Sequence, residues 1–118
     1  MEHYTIYRAF VKHKKYSIKK TTRTSFLLFQ KYDTLESTVI PDGVTSIGDW
    51  AFEYCSSLTS VVIGDSVTNI GYMAFYGCTS LKDVYYTGSE AEWAEISIDS
   101  ANGNLTNATI HYNYVPED

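Results

Sequence analysis

Three histidines, His3, His13 and His111, are the side chains best suited to moving protons near neutral pH. A hydrolytic triad needs a nucleophile and an orienting carboxylate gathered around one of them, and no spacing in this chain suggests such a set. Gly64-Asp65-Ser66-Val67-Thr68 begins like a nucleophile elbow but lacks the second glycine that the sharp strand-to-helix turn requires. Asp99-Ser100-Ala101-Asn102-Gly103-Asn104 has the residue types of a calcium loop, yet Ala101 stands where an oxygen ligand is needed, so it reads as a loop. Cys55 and Cys78 have no histidine or second cysteine pair at metal-ligand spacing. No catalytic residue, cofactor or metal ligand is assigned, and the chain is not expected to be an enzyme.

The basic run Lys12–Lys20 has the charge to meet phosphate or an anionic surface. It reads more simply as a solvated tail or strand, and no nucleic-acid partner is expected. Asn104-Leu105-Thr106 and Asn107-Ala108-Thr109 match the glycosylation sequon and read as turn and strand residues.

The strongest feature is a repeat. Residues 40–62, IPDGVTSIGDWAFEYCSSLTSVV, and 63–85, IGDSVTNIGYMAFYGCTSLKDVY, are two copies of one unit at an offset of 23. Identical pairs include Ile40/Ile63, Val44/Val67, Ile47/Ile70, Gly48/Gly71, Ala51/Ala74, Phe52/Phe75, Cys55/Cys78, Leu58/Leu81 and Val61/Val84. A unit this short cannot bury its own apolar face and must stack on its neighbours. The expected fold is an α/β repeat: a short solenoid whose recurring apolar residues point inward as ladders. Each fully buried aliphatic rung contributes roughly 1.5–3 kcal/mol.

Within one unit, Leu58 to Ile63 reads as a short strand, Gly64-Asp65-Ser66 (Pro41-Asp42-Gly43 in the first copy) as a turn, and Val67 to Ile70 as a second extended piece. Tyr72 to Tyr76 suits a helical turn closed by Gly77. Leucines at 35, 58, 81 and 105 and phenylalanines at 29, 52 and 75 carry the period outward. The expected organisation is an unrepeated basic segment at 1–16 (an extra strand, a tail, or a stretch foreign to the repeat), a degenerate first coil at 17–39, two full coils at 40–85, a capping coil at 86–114 and a tail at 115–118: about four coils of 23 residues. Ser89-Glu90-Ala91-Glu92 is a capping box opening a helix with Trp93 and Ile96 on one face, and residues 105–114 alternate like a closing strand.

Neighbouring coils would hold Cys55 and Cys78 about 4.8 Å apart, side by side on one rung. Parallel side chains do not point at each other, so two buried free thiols are expected, with a bridge as the alternative.

Slots that change between copies are the exposed candidates. Asp49 becomes Tyr72, Glu53 becomes Tyr76 and Val62 becomes Tyr85. Tyr54, Tyr72, Tyr76, Tyr85 and Tyr86, with Asp49 and Glu53, form the candidate partner-binding set, because aromatic side chains on a solenoid face make strong contact anchors. The competing reading is ring packing between coils.

Charge is divided unevenly along the chain. Residues 1–31 hold eight basic residues and one acid, and the remainder holds Lys82 against thirteen acids, within a formal net charge of −5. The basic part has the charge to lean on the acidic body, weakly and with salt sensitivity. No apolar run approaches a membrane span, and Phe26-Leu27-Leu28-Phe29 is too short for a signal-peptide core.

The frame I-x-x-x-V-x-x-I-G-x-x-A-F-x-x-C-x-x-L-x-x-V, intact twice at 40–85, resembles the BspA-like, or Treponema-type, leucine-rich repeat, and 85–114 resembles the terminal segment of such arrays. The resemblance implies a bacterial cell-surface or secreted protein, a leucine-rich-repeat solenoid with a C-terminal helix-strand cap, and a binding or adhesion role toward a protein or polysaccharide ligand. A structural spacer or capping segment of a larger surface protein is the alternative that it leaves.

Overall fold

Alternation of β-branched residues with turn residues every ten or so positions folds the doubled unit into two parallel sheets. A computed structural model describes residues 4–11, 14–21, 25–31, 34–40 and 42–116, with side chains for 34–40 and 42–116. Strands β4 (Ser37–Ile40), β6 (Ser60–Ile63), β8 (Asp83–Tyr86) and β10 (Thr109–His111) form one sheet, in the order β10-β8-β6-β4. Strands β5 (Val44–Ile47), β7 (Asn69–Ile70) and β9 (Ser97–Ile98) lie side by side in the second. Val39 pairs with Val62 and Val62 with Tyr85, so the register advances by the repeat length. Toward the C-terminus Ile70 pairs with Ile98 and Val84 with Ile110, so the offset grows past 23. Two short helices, α1 (Glu90–Ala94) and α2 (Gly103–Thr106), take up the added residues.

Between the sheets lie the ladders. Val44, Val67, Ile47, Ile70, Ala51, Ala74, Val61, Val84 and Leu58 are buried, and Leu35 packs against them from the edge. Phe52 and Phe75 stack, with ring centroids 5.2 Å apart and planes at 18°. Cys55 and Cys78 are buried thiols that form no disulfide, and the Cys78 thiol donates to the Phe52 carbonyl at 3.1 Å.

Backbone bonds also tie coil to coil outside the strands. The amides of Trp50, Phe52 and Tyr54 donate to the carbonyls of Tyr72, Ala74 and Tyr76. The stretch expected as a helical turn at 72–76 is instead a run of tight turns, closed by Ala74 N to Gly71 O and Tyr76 N to Met73 O. Met73 has φ +56°, which no right-handed helix accommodates, and its counterpart Trp50 has φ +59°. The alternating backbone lets every second amide face the next coil.

The N-terminal strands pair differently from those of the doubled unit. Strands β1 (Tyr4–Val11), β2 (Lys14–Thr21) and β3 (Ser25–Lys31) pair antiparallel in sequence, and β1 joins the second sheet parallel to β5. Within residues 1–16, Tyr4–Val11 forms a strand. A connection of only a few residues between β2 and β3 permits a hairpin, whereas a parallel pair needs a long crossover. The expectations on His3, Lys12, His13 and Pro41 and on the extreme C-terminus lie outside the described residues.

Candidate functional site

Turns at 48–56 and 71–79 form one edge of the stack, and their variable slots face outward. Trp50, Tyr54, Tyr72 and Tyr76 are 47%, 53%, 41% and 40% exposed. They meet pairwise across the coil boundary. Trp50 and Tyr72 pack edge-to-face at 6.4 Å, and Tyr54 and Tyr76 at 5.6 Å, both in the geometry that aromatic quadrupoles favour. Asp49 Oδ1 accepts the Tyr72 amide at 2.9 Å, which fixes the carboxylate at the base of the ridge. Glu53 is half-buried beside it. Four of the five candidate tyrosines and both acids thus lie outside the core, and Tyr54, Tyr72 and Tyr76 share one ridge with Asp49. Trp50 belongs to this ridge and was not singled out from the sequence, because its counterpart is Met73. A tryptophan in a slot that is not a ladder position was the available signal.

Tyr85 belongs to a different surface, the outer face of the β4-β6-β8-β10 sheet. Val39, Val62, Tyr85 and His111 form one row across that face. Tyr85 stacks on His111 at 4.6 Å and 13° and leans on Tyr114 at 5.0 Å. His111 Nε2 donates to Asp83 Oδ1 at 2.9 Å, which anchors the imidazole flat beneath the tyrosine. A stacked pair held by a carboxylate is a preformed platform with little rotamer freedom left to lose on binding.

Tyr86 corrects an expectation. It was placed with the exposed candidates, but it is 1% exposed and packs against Trp93 at 5.1 Å. The cause is register: Tyr86 pairs with Ile63, so it occupies the Ile40/Ile63 ladder. Advancing that ladder by one more unit finds it in the sequence. Burial raises the phenol above its ordinary value of 10.0, and the carboxylates of Glu92 and Asp65 raise it further. An unfolded phenol loses its proton near 10.0, whereas the folded one holds it to higher pH. The contribution of Tyr86 to stability is therefore complete at neutral pH and is lost as pH rises through the folded value. Its hydroxyl has no hydrogen-bond partner among the described residues. Tyr86→Phe is expected to change stability at pH 7 by less than about 1 kcal/mol and to flatten the alkaline decline. Urea midpoints at pH 7 and pH 10.5 check both.

The loop at 99–104 uses its polar atoms internally. Asn102, 3% exposed, accepts the Phe75 amide at 2.9 Å and donates to the carbonyls of Gly71 and Asp99, each at 2.9 Å. Among the described residues no three acidic, histidine or cysteine side chains are placed to hold a metal ion. Nor is any described helix long and apolar enough to cross a membrane.

Residues 16–115 match the family model described as a BspA type leucine rich repeat region, in six copies. The chain belongs to the BspA-type leucine-rich-repeat family. Among solved structures, a leucine-rich cell-surface protein of Faecalibacterium prausnitzii A2-165 is similar, at 42% identity over 62% of this chain, with a TM-score of 0.57. The matched part is 19% of that protein's length. No curated protein matches the chain. Within this BspA-type repeat, the ladder residues define the family frame. The ridge and the Tyr85 platform are built from positions outside that frame.

Proposed function

We propose that this chain is a non-catalytic binding module of a cell-surface or secreted bacterial protein, and that it adheres to a protein or polysaccharide ligand through the ridge of Trp50, Tyr54, Tyr72 and Tyr76, flanked by Asp49 and Glu53. The observation that carries this reading is the exposure of four large aromatic rings already ordered into two edge-to-face pairs. Monomeric proteins rarely present such rings together without a use for them, and aromatic anchors of this kind dominate binding energy. The proposed architecture is about four coils closed by the α1 helix and the β10 strand. Ser89 supports the closure, because its side chain accepts the Glu92 amide while Glu92 accepts the Ser89 amide.

Screening the full chain against host-protein, matrix and polysaccharide arrays tests the proposal. Any ligand found is expected to bind at least tenfold more weakly to a Tyr54→Ser, Tyr76→Ser protein, with the melting temperature shifted by no more than a few degrees, since these side chains lie outside the core. Unchanged binding would favour a structural spacer instead.

A further inference from the structure

A cavity of about 190 Å³ opens between the turn after β6, the start of β7 and helix α1. It is well below the roughly 300 Å³ at which sites for drug-sized ligands begin, so it matches a single side chain or a ligand of that size. Val67 and Ile96 give it an apolar wall, and Asp65, Glu92 and Glu95 give it an acidic rim. Asp65 and Glu95 have no side-chain hydrogen bond or ion pair among the described residues, and Glu92 uses only Oε1, on the Ser89 amide. Lys82 is the one lysine or arginine among the described side chains.

Tyr86 also lines this cavity, and its buried hydroxyl has no partner among the described residues. Gly88 makes the arrangement possible. A Cβ there would lie 2.8 Å and 2.9 Å from Tyr86 Cε2 and Cζ and 3.0 Å from Asp65 Cβ, so only glycine lets the phenol end and Asp65 converge. Burying an uncompensated hydroxyl is unfavourable, and a ligand that supplies the missing partner recovers that cost.

We propose that this cavity receives an alkylammonium group of the lysine side-chain type. The carboxylates of Asp65, Glu92 and Glu95 surround the charge, Tyr86 Oη accepts one N–H, and Val67 and Ile96 cover the methylene stem. The carboxylates are too dispersed to close on a bare metal ion, which favours a cation that is broad, carries N–H donors and has an apolar tail. The site is separate from the aromatic ridge, so either can fail without the other.

The test is a ¹⁵N-resolved NMR titration of the full chain with n-butylammonium, n-butanol and tetramethylammonium. Saturable shifts at the amides of Asp65, Thr68, Tyr86 and Glu95 are expected with n-butylammonium, at least tenfold tighter than with the other two. The Asp65→Asn, Glu95→Gln protein, altered only at exposed side chains, is expected to bind at least tenfold more weakly with an otherwise unchanged spectrum. Tyr86→Phe is expected to weaken binding about fivefold, a readout that charge alone would not move. Nα-acetyl-lysine methylamide and 1,5-diaminopentane then separate a protein lysine from a free amine as the source. Equal binding of tetramethylammonium or n-butanol, absence of saturable shifts with n-butylammonium, or unchanged affinity in the double variant would overturn the proposal.

Discussion

Replacing Asn102 by alanine is expected to lower unfolding stability by about 2–3 kcal/mol, chiefly because the buried Phe75 amide loses its acceptor. The amides of Trp50, Phe52 and Tyr54 each find a carbonyl on the next coil, and Met73 finds that of Ser100. At Phe75 the next coil offers a side chain instead: Asn102 Oδ1 accepts that amide and Nδ2 returns a donor to Gly71 O. Asn102 thus stands in for a peptide group, presenting both a carbonyl and an N–H where the regular ladder runs out. Alanine leaves the Phe75 N–H unpaired, which costs about 1–3 kcal/mol in a buried setting, and takes one of two donors from Gly71 C=O, which keeps the Ala74 amide. Urea unfolding measures the loss, and amide exchange localises it, with Phe75 losing protection before the ladder valines. A change under 1 kcal/mol with Phe75 still protected would refute this role.

Ladder positions were legible in the sequence because stacking forces one side chain to recur wherever it meets its own copy, as at Phe52 and Phe75. The capping box was legible because its two bonds are local, confined to Ser89 and Glu92. The fate of the cysteines followed from strand geometry alone. Asn102 was not legible. Its partners on the preceding coil lie 27 and 31 residues away, and its local bonds are those of any loop asparagine. His111 was weighed as a possible catalyst and dismissed, yet it packs under Tyr85, because the register shift in the last coil brings residue 111 beside residue 85. Tyr86 was legible and misread: its aromatic character drew it toward the binding set, while its register placed it on the isoleucine ladder. β1 lies outside the repeat and β3 carries Phe29 of its frame, too little to reveal the antiparallel course of these strands.

Gly71→Ala is expected to be comparably damaging, costing about 3 kcal/mol, although it adds one methyl group. A Cβ on Gly71 would meet Asp49 Oδ1 and lie 2.7 Å from Asp49 N and 2.9 Å from Gly48 C. Two of those atoms are backbone of the preceding coil, held in turn by the bond from Gly71 N to Ile47 O at 2.8 Å. A flexible side chain could swing aside, but here the coils themselves must separate. That separation strains the Tyr72 amide bond to Asp49 and parts Trp50 from Tyr72, so the ridge loosens along with the core. Gly71→Ala is therefore expected to weaken ligand binding even at temperatures where the protein stays folded. Gly103→Ala is the matched control. Its Cβ would meet nothing nearer than Asn107 Nδ2 at 3.8 Å, and it lies at the start of α2, where alanine is expected to add about 0.5–1 kcal/mol. Opposite signs in thermal melts of the two variants would show that close approach between coils, rather than glycine's chain entropy, sets the requirement at residue 71. Equal effects would show that the coils tolerate separation and that the ridge is not tied to their spacing.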